Sequence, residues 1–327
     1  MATIYDVAKL AGVSPATVSR VLNGVPVSQS KADAVRRAAA ELEFTPNRTA
    51  RGLRMQTSEV IGLIIPDIAN PYFTQVARGV EDAAQEAGYS VVLCNSDSDL
   101  LKEQRYMRIA VSQNMAGVVI AAAGGGTDLS VVTDAGRPVV AIDRANDFRV
   151  DAVVVANRDA GFMATEDLVK SGFKKIAFVS GPSEIDTARE RVRGWREAIE
   201  KHVGSAPAAD LLLISTFQVE GGRASVRELL DRDDRPDAVV LSNNLLGVGA
   251  MQVLLERGVT PAEFGVSVIG SLPFATLPPS TVSVLHLPAR QMGVEAARLL
   301  IERLRGDAQP PRTIVLRGRL DSARSEA

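Results

Sequence analysis

Apolar positions along the first forty-five residues recur at helical spacing in three short bursts. Ile4, Val7, Ala8 and Ala11 make the first stripe, Val18, Val21 and Leu22 the second, and Val35, Ala38, Ala39 and Leu42 the third. The breaks between them carry helix-end chemistry. Thr3 and Asp6 have the spacing of a capping box, Gly12 ends the first helix and Val13 packs the corner. Ser14 stands where a cap is needed, and Pro15 occupies a first turn, where a missing N–H costs nothing. The second helix leaves Pro15, Ala16, Thr17, Ser19, Arg20 and Asn23 outside the small core. Small residues let a helix enter a major groove, hydroxyls suit phosphate, and one arginine can grip guanine O6 and N7 together. The pattern predicts a helix-turn-helix headpiece over residues 1–45, against the plainer reading of a helical hairpin with a polar face.

The next stretch, 46–59, has a different character. Pro46 and Asn47 form a break and a cap, and the short segment beyond them is too brief to be a stable helix alone in water. Arg48, Arg51 and Arg54 surround Leu53, a leucine wedge beside cations of the kind that opens a minor-groove base step. This segment is expected to order as a hinge helix only against a partner, double-stranded DNA.

From Val60 the pattern changes to apolar runs alternating with amphipathic stretches. Val60 to Pro66, Val91 to Cys94, Gly117 to Ala121 and Val139 to Ile142 read as buried strands. The alternation resumes near Ile176 to Val179, Leu211 to Ile214, Ala238 to Leu241 and Val266 to Ile269. The expected class is therefore α + α/β: an α-helical headpiece followed by a body, 60–327, of two parallel α/β subdomains. Ligands in such folds gather beyond the carboxyl ends of the strands, here in a cleft between two sheets.

Composition narrows the function. With 327 residues and 46% apolar content the chain can bury a large core. No apolar run approaches the ~18 residues of a membrane span, and the N-terminus lacks a signal-peptide layout. The single cysteine, Cys94, builds neither a disulfide framework nor a zinc site and is expected on a buried strand, so a cytoplasmic address is expected. Residues 1–58 hold eight cations (Lys9, Arg20, Lys31, Arg36, Arg37, Arg48, Arg51, Arg54) against four acids (Asp6, Asp33, Glu41, Glu43), while the whole chain carries a net −2. The basic end favours phosphate and the acidic remainder disfavours it.

These motifs together resemble the lac repressor and galactose repressor (LacI/GalR) family of bacterial transcription regulators. The run Ala11 to Gly24, the pair Pro46-Asn47 and the element Ala50 to Leu53 fall in that family's order and spacing. The resemblance implies base-reading roles for Pro15, Ala16 and Arg20, backbone-register roles for Ser14, Ser19 and Asn23, and an intercalating role for Leu53. For the body it implies the fold of type I periplasmic sugar-binding proteins, in which the chain crosses between lobes three times. One lobe is then expected at about 60–157 plus 287–308, and the other at about 158–286 plus 309–327.

Strand ends supply the candidate effector contacts. Asn70, Tyr72 and Phe73 offer an amide and aromatic faces for a small molecule, with helix capping and core filling as the competing explanation. Asp143 and Arg144 end the fourth strand, where an acid resembles the family's acceptor of ligand hydroxyls and solvated loop charges are the alternative. Arg191, before Gly194-Trp195, matches an arginine that the family aims into the cleft. Phe217 matches a stacking aromatic, and Asn243 falls in Ser242-Asn-Asn-Leu245, where the family usually has Ala-Asn-Asp-Leu. A further departure comes after the strand ending at Ile269: Gly270-Ser-Leu-Pro-Phe-Ala275 replaces the family's Gly-Phe-Asp-Asp, so a pocket acid is missing. Losing a carboxylate while keeping Arg191 favours an anionic effector, such as a sugar acid or sugar phosphate.

Catalytic signatures are lacking. There is no Gly-x-Gly-x-x-Gly after a strand, no Walker-type Gly-Lys-Ser/Thr and no Gly-x-Ser-x-Gly elbow. Gly124-Gly125-Gly126 reads as a loop, and His202 and His286 lack metal-ligand spacing. No enzyme, cofactor or metal is expected. A periplasmic solute receptor would share the body but has no use for the headpiece. No leucine heptads come after Arg305, so a homodimer is expected, placing two headpieces on a near-palindromic operator.

Overall fold

The computed structural model describes residues 2–22, 25–44, 58–144, 149–260, 263–272 and 282–323. The chain divides into two units, Met1–Ser58 and Glu59–Ala327.

The first unit contains helices α1 (Ile4–Ala11), α2 (Pro15–Leu22) and α3 (Gln29–Glu41). Thr3 and Asp6 form a reciprocal capping box, and Gly12 takes the left-handed conformation at φ 64° that turns the chain towards α2. Val7, Ala8, Val18, Val35 and Ala38 make the shared core, with Ile4, Ala11, Val13, Val21, Leu22, Ala39 and Leu42 packed around it. Each predicted stripe contributes, so the three helices bury one another's apolar faces.

The second unit carries two six-stranded sheets. The elements of the first lobe are β1 (Val60–Ile65), α4 (Pro71–Glu86), β2 (Ser90–Asn95), α5 (Leu100–Ser112), β3 (Gly117–Ile120), α6 (Ser130–Thr133), β4 (Val139–Ile142) and β5 (Asp151–Val155). The second lobe contains α7 (Asn157–Lys170), β6 (Ile176–Ser180), α8 (Asp186–Val203), a 3-10 turn at Ala209–Leu211, β7 (Leu212–Ile214) and α9 (Val219–Leu230). It continues with β8 (Ala238–Leu241), α10 (Asn244–Arg257), β9 (Gly265–Ile269) and β10 (Ser283–His286). The chain ends with α11 (Ala289–Leu304), β11 (Thr313–Leu316) and β12 (Arg319–Asp321). Strand orders are β11-β5-β4-β3-β1-β2 and β12-β10-β9-β8-β6-β7. Both repeat one parallel pattern with an added edge strand, and among the described residues only β12 runs antiparallel to its neighbour β10. Buried Val, Ile, Leu and Ala side chains line both faces of the central strands, as parallel sheets covered by helices require.

The sheet pairings correct the expected end of the first lobe. Residues 309–327 do not all belong to the second lobe, because β11 pairs with β5 in the first sheet, Thr313 opposite Ala152 through Leu316 opposite Val155. An ion pair on a buried carboxylate fixes this choice. The carboxylate of Asp151, which starts β5, accepts from the Arg303 guanidinium of α11 at 2.6 and 2.9 Å and from the Arg312 backbone N–H at 2.7 Å. The last crossing therefore falls at Arg317-Gly318, between β11 and β12. β5 and β10 are strands additional to the four expected in each lobe.

Close helix contacts pack the second lobe behind Arg191. α7 and α8 cross where Gly161 faces the Arg191 carbonyl and Gly194 faces that of Arg158; a β-carbon on either glycine would come within 2.0 Å of backbone oxygen. This approach brings Arg191 to the mouth of the second lobe.

Candidate functional site

On the first unit, α2 buries Val18 and turns Ala16 and Arg20 outward, with Pro15, Thr17 and Ser19 half-exposed. Ser14 Oγ accepts the Thr17 backbone N–H at 3.2 Å and lies 3.0 Å from Thr17 Oγ1, so it caps the helix as its position predicts. Arg20 projects from an exposed face with its carbonyl taking the Val25 N–H. Asn23, Arg48, Leu53 and Arg54 lie outside the described residues.

The second candidate site is the cleft between the two sheets, with a volume of about 680 Å³. All seven residues expected there line it: Asn70, Tyr72, Phe73, Asp143, Arg191, Phe217 and Asn243. The competing explanations for Asn70 and Phe73 hold as well. Asn70 caps α4 by accepting the Tyr72 N–H at 3.0 Å, and Phe73 is packed into the first lobe's core while bordering the cleft.

Solvated loop charges do not describe the end of β4. Asp143 and Arg144 are 7% and 6% exposed, and Asp143 adopts the left-handed φ of 60°. The Tyr72 hydroxyl donates to Asp143 Oδ1 at 3.1 Å. Burial first, and the Asp143 carboxylate second, hold the Tyr72 phenol well above its ordinary pKa, so it remains a donor at neutral pH. Arg144 donates to the carbonyls of Ala122 and Ala123 at 2.8 and 2.9 Å.

Facing this group from the second lobe is Arg191, 5% exposed. Its Nε donates to Asn157 Oδ1 at 2.8 Å and its Nη1 to the Ser242 carbonyl at 2.6 Å, which fixes the guanidinium in one orientation. Burial pulls the pKa values of both arginines down while Asp143 pushes them up, with Glu103 also acting on Arg144, the behaviour of cations held out of water beside acids. Phe217 lies on Gly181, where a β-carbon would come within 2.3 Å of the ring. Asn243 caps α10 through the Leu246 N–H at 2.8 Å and donates to the Phe217 carbonyl at 3.2 Å, joining two of the second lobe's cleft loops.

Three contributors to this site are not announced by the residue pattern. Arg144 is legible as a strand-end charge, but its burial is not. Asn157 matters only as the partner that aims Arg191. Asn244 stands where the family usually has an acid and bonds instead to Asn70. Asp67, Asp97 and Glu184 also border the cleft, at its outer margin. Arg189 and Arg193 point to the surface, in ion pairs with Asp186 and Glu190. His202 contacts Glu166, and His286 contacts Ser271 and Asp321, in keeping with surface or structural roles.

Comparison with known sequences decides the family. The model described as "Periplasmic binding proteins and sugar binding domain of LacI family" matches residues 58–319, and "Bacterial regulatory proteins, lacI family" matches residues 3–47. The chain belongs to the LacI family. It is similar to the ribose operon repressor of Halalkalibacterium halodurans, with 33% identity over 306 residues, covering 93% of this chain and 91% of that relative. Among solved structures, the CelR–cellobiose complex shares 30% identity at a TM-score of 0.74, covering 98% of both chains. The lac repressor dimer bound to operator and the anti-inducer ONPF superposes with a TM-score of 0.84 over 98% of this chain and 97% of that one, at 24% identity, a likeness of fold. As a LacI-family member this chain is a DNA-binding transcriptional regulator with an effector-binding body, and its relatives are repressors rather than enzymes. Among the described residues, no helix is long and apolar enough to cross a membrane, and no group of three or more His, Cys, Asp or Glu could hold a metal ion.

Proposed function

We propose that this LacI-family regulator is a homodimeric repressor whose operator affinity is set by an anionic carbohydrate derivative bound in the cleft. The observation that carries the effector reading is the floor of that cleft. Two fixed, buried guanidiniums, Arg144 and Arg191, border the cleft with Asp143, one of whose oxygens accepts the Tyr72 hydroxyl, while Glu103, a second acid acting on Arg144, lies outside the lining. Among the described lining residues, the second lobe contributes amides and Arg191 but no acid except Glu184. Such a set binds hydroxyls through Asp143 and still favours negative charge in the ligand. Phe73, Tyr72 and Phe217 offer aromatic faces to a sugar ring. The ribose operon repressor and CelR–cellobiose neighbours support a carbohydrate class.

Operator contact is assigned to Ser14, Pro15, Ala16, Thr17, Ser19, Arg20 and Asn23 on the headpiece and to Arg48, Leu53 and Arg54 in the hinge. Two headpieces on successive major grooves lie about one helical turn (~34 Å) apart, which calls for a near-palindromic site. The hinge segments fold in the minor groove between them. An effector that draws the lobes together changes hinge spacing, and with it the population able to grip DNA. Such a protein works in the cytoplasm and sits on the nucleoid when bound to DNA.

Selection from a random oligonucleotide pool, with and without sugar acids and sugar phosphates, tests the reading. A recovered near-palindrome whose affinity changes with one of these ligands is the expected result. No sequence preference under any condition refutes the DNA assignment, and a neutral monosaccharide as sole tight ligand refutes the anionic one.

A further inference from the structure

Glu103, on α5, is 1% exposed and lies outside the cleft's lining. Its carboxylate accepts the Ala123 N–H at 2.5 Å and the Thr127 hydroxyl at 2.6 Å. Arg144 holds the same stretch of chain, donating to the carbonyls of Ala122 and Ala123. Ala123 is therefore fixed at its N–H by an acid and at its carbonyl by a cation. Of these two charged side chains, Arg144 is the one that borders the cleft.

Neither hydrogen bond to Glu103 requires a charge. A glutamine of the same length would accept the Ala123 N–H with its amide oxygen and donate from its amide nitrogen to Thr127 Oγ1, since a hydroxyl accepts as well as donates. Taking a carboxylate out of water costs several kcal/mol before its contacts offset it. Burial pushes the Glu103 carboxyl up, against the hydrogen bonds from Thr127 and Ala123 and the charge of Arg144, so the ionised form is kept at a net cost. What a carboxylate supplies here and an amide does not is negative charge.

That charge is felt at Arg144. Asp143 and Glu103 are the carboxylates acting on this guanidinium, in that order, whereas Arg191 responds to Asp143, Tyr72 and Arg144. We propose that Glu103 is a positioning residue for Arg144 that sets how strongly the cleft prefers an anionic effector. It fixes the guanidinium through the loop 122–127, and its carboxylate offsets the cation's charge from outside the lining. The inference rests on the cleft being the effector site.

Charge and geometry can be told apart at this position. With Glu103 ionised, Arg144 and Arg191 stand against Asp143 and Glu103; with an amide at 103, the same two cations stand against Asp143. An anionic group beside Arg144 then gains attraction while a hydroxyl gains little, because the interaction scales with the full charge of the ligand group. The hydrogen-bonded loop is the same in both cases. Affinity for an acid relative to its neutral counterpart therefore reports the charge of residue 103, and a change common to both reports the loop.

Isothermal titration of the full-length protein with glucose and glucuronic acid, and with ribose and ribose 5-phosphate, tests this, since the members of each pair differ by one anionic group. Glu103→Gln is expected to raise the preference for the acid over its neutral partner about tenfold, with operator affinity in the absence of sugar unchanged. Thr127→Val removes a hydrogen bond to the carboxylate and no charge, and is expected to leave that preference within about twofold of the wild type. A preference unchanged or lowered by Glu103→Gln, or raised equally by Thr127→Val, overturns the proposal. So does the absence of binding by all four sugars to both the wild type and Glu103→Gln. Arg191→Ala separates this failure from failure of the underlying reading. If it abolishes binding of the acid while Glu103→Gln leaves the preference unchanged, the cleft is the effector site and the role of Glu103 alone fails. Tight binding that survives Arg191→Ala places the ligand outside the cleft and overturns both.

Discussion

Asn244 Nδ2 donates to Asn70 Oδ1 at 3.0 Å, joining the first residue of α10 in one lobe to the cap of α4 in the other. Both side chains are buried, and the same Asn70 oxygen accepts the Tyr72 N–H. One oxygen thus fastens a helix start and the opposing lobe together. Asn244→Asp would set a carboxylate against that acceptor, and rotating the Asn70 amide to compensate would forfeit the cap. The substitution is expected to weaken effector binding about five- to tenfold, on the order of 1 kcal/mol, with operator affinity in the absence of effector close to normal. Titration calorimetry checks the first part and a gel-shift series the second. Unchanged effector affinity would show that this amide pair does not couple the lobes.

How far this site is legible in the chain depends on the range of the interactions involved. The headpiece is legible because its caps, corner and stripes are local: Thr3 with Asp6, Gly12, and Val18 between Val7 and Val35. Asp143, Arg191 and Asn243 are marked by their places in family motifs. By contrast β5 opens on an acid, Asp151, and looks like a loop until Arg303 neutralises it from 152 residues away. The same ion pair recruits β11, which no local pattern assigns to the first sheet. Arg144 reads as solvated because its partners are backbone carbonyls of a loop about twenty residues earlier, which no residue pattern announces.

Arg20→Ala on the exposed face of α2 should cost on the order of 1–3 kcal/mol of operator binding and relax base preference at one position in each half-site. Leu53→Ala should weaken operator binding at every sequence while leaving effector affinity near normal, since the wedge acts on the duplex and not on the cleft. Fluorescence anisotropy with a selected operator and its single-base variants separates these two patterns. If Arg20→Ala leaves both affinity and preference intact, the recognition-helix assignment is wrong.

Self-association should leave a physical trace. Each lobe ends on an edge strand with exposed aliphatics, Val92 and Leu93 on β2 and Ile214 on β7. Leu101 on α5 and Leu255 on α10 are 80% and 81% exposed. A second copy of the chain is expected to cover part of this surface. Sedimentation equilibrium is expected to give a dimer, and Leu255→Glu to shift it towards monomer with a matching loss of operator affinity. A stable tetramer, or a monomer that binds the full operator tightly, would contradict the two-headpiece arrangement.

Acid stability offers a test of the packing behind the cleft. Glu166 on α7 accepts from Lys170 at 2.9 Å, lies 2.8 Å from His202 Nε2 and accepts from Lys201 at 3.1 Å. Lys170 foremost, with His202 and Lys201 and against the opposing effect of burial, lowers its pKa from 4.5 to about 2. Because the folded value lies below the unfolded one, the ionised carboxylate stabilises the fold. That contribution is complete above about pH 5, declines as the pH falls, and is gone once the folded group itself protonates near pH 2. The lysines are largely exposed, so solvent screening reduces the effect to about 1–2 kcal/mol at neutral pH. Urea denaturation of the wild type and Glu166→Gln should therefore differ by that amount at pH 7 and converge on acidification. A gap that persists unchanged down to pH 2, or widens there, would assign the role of Glu166 to something other than its charge.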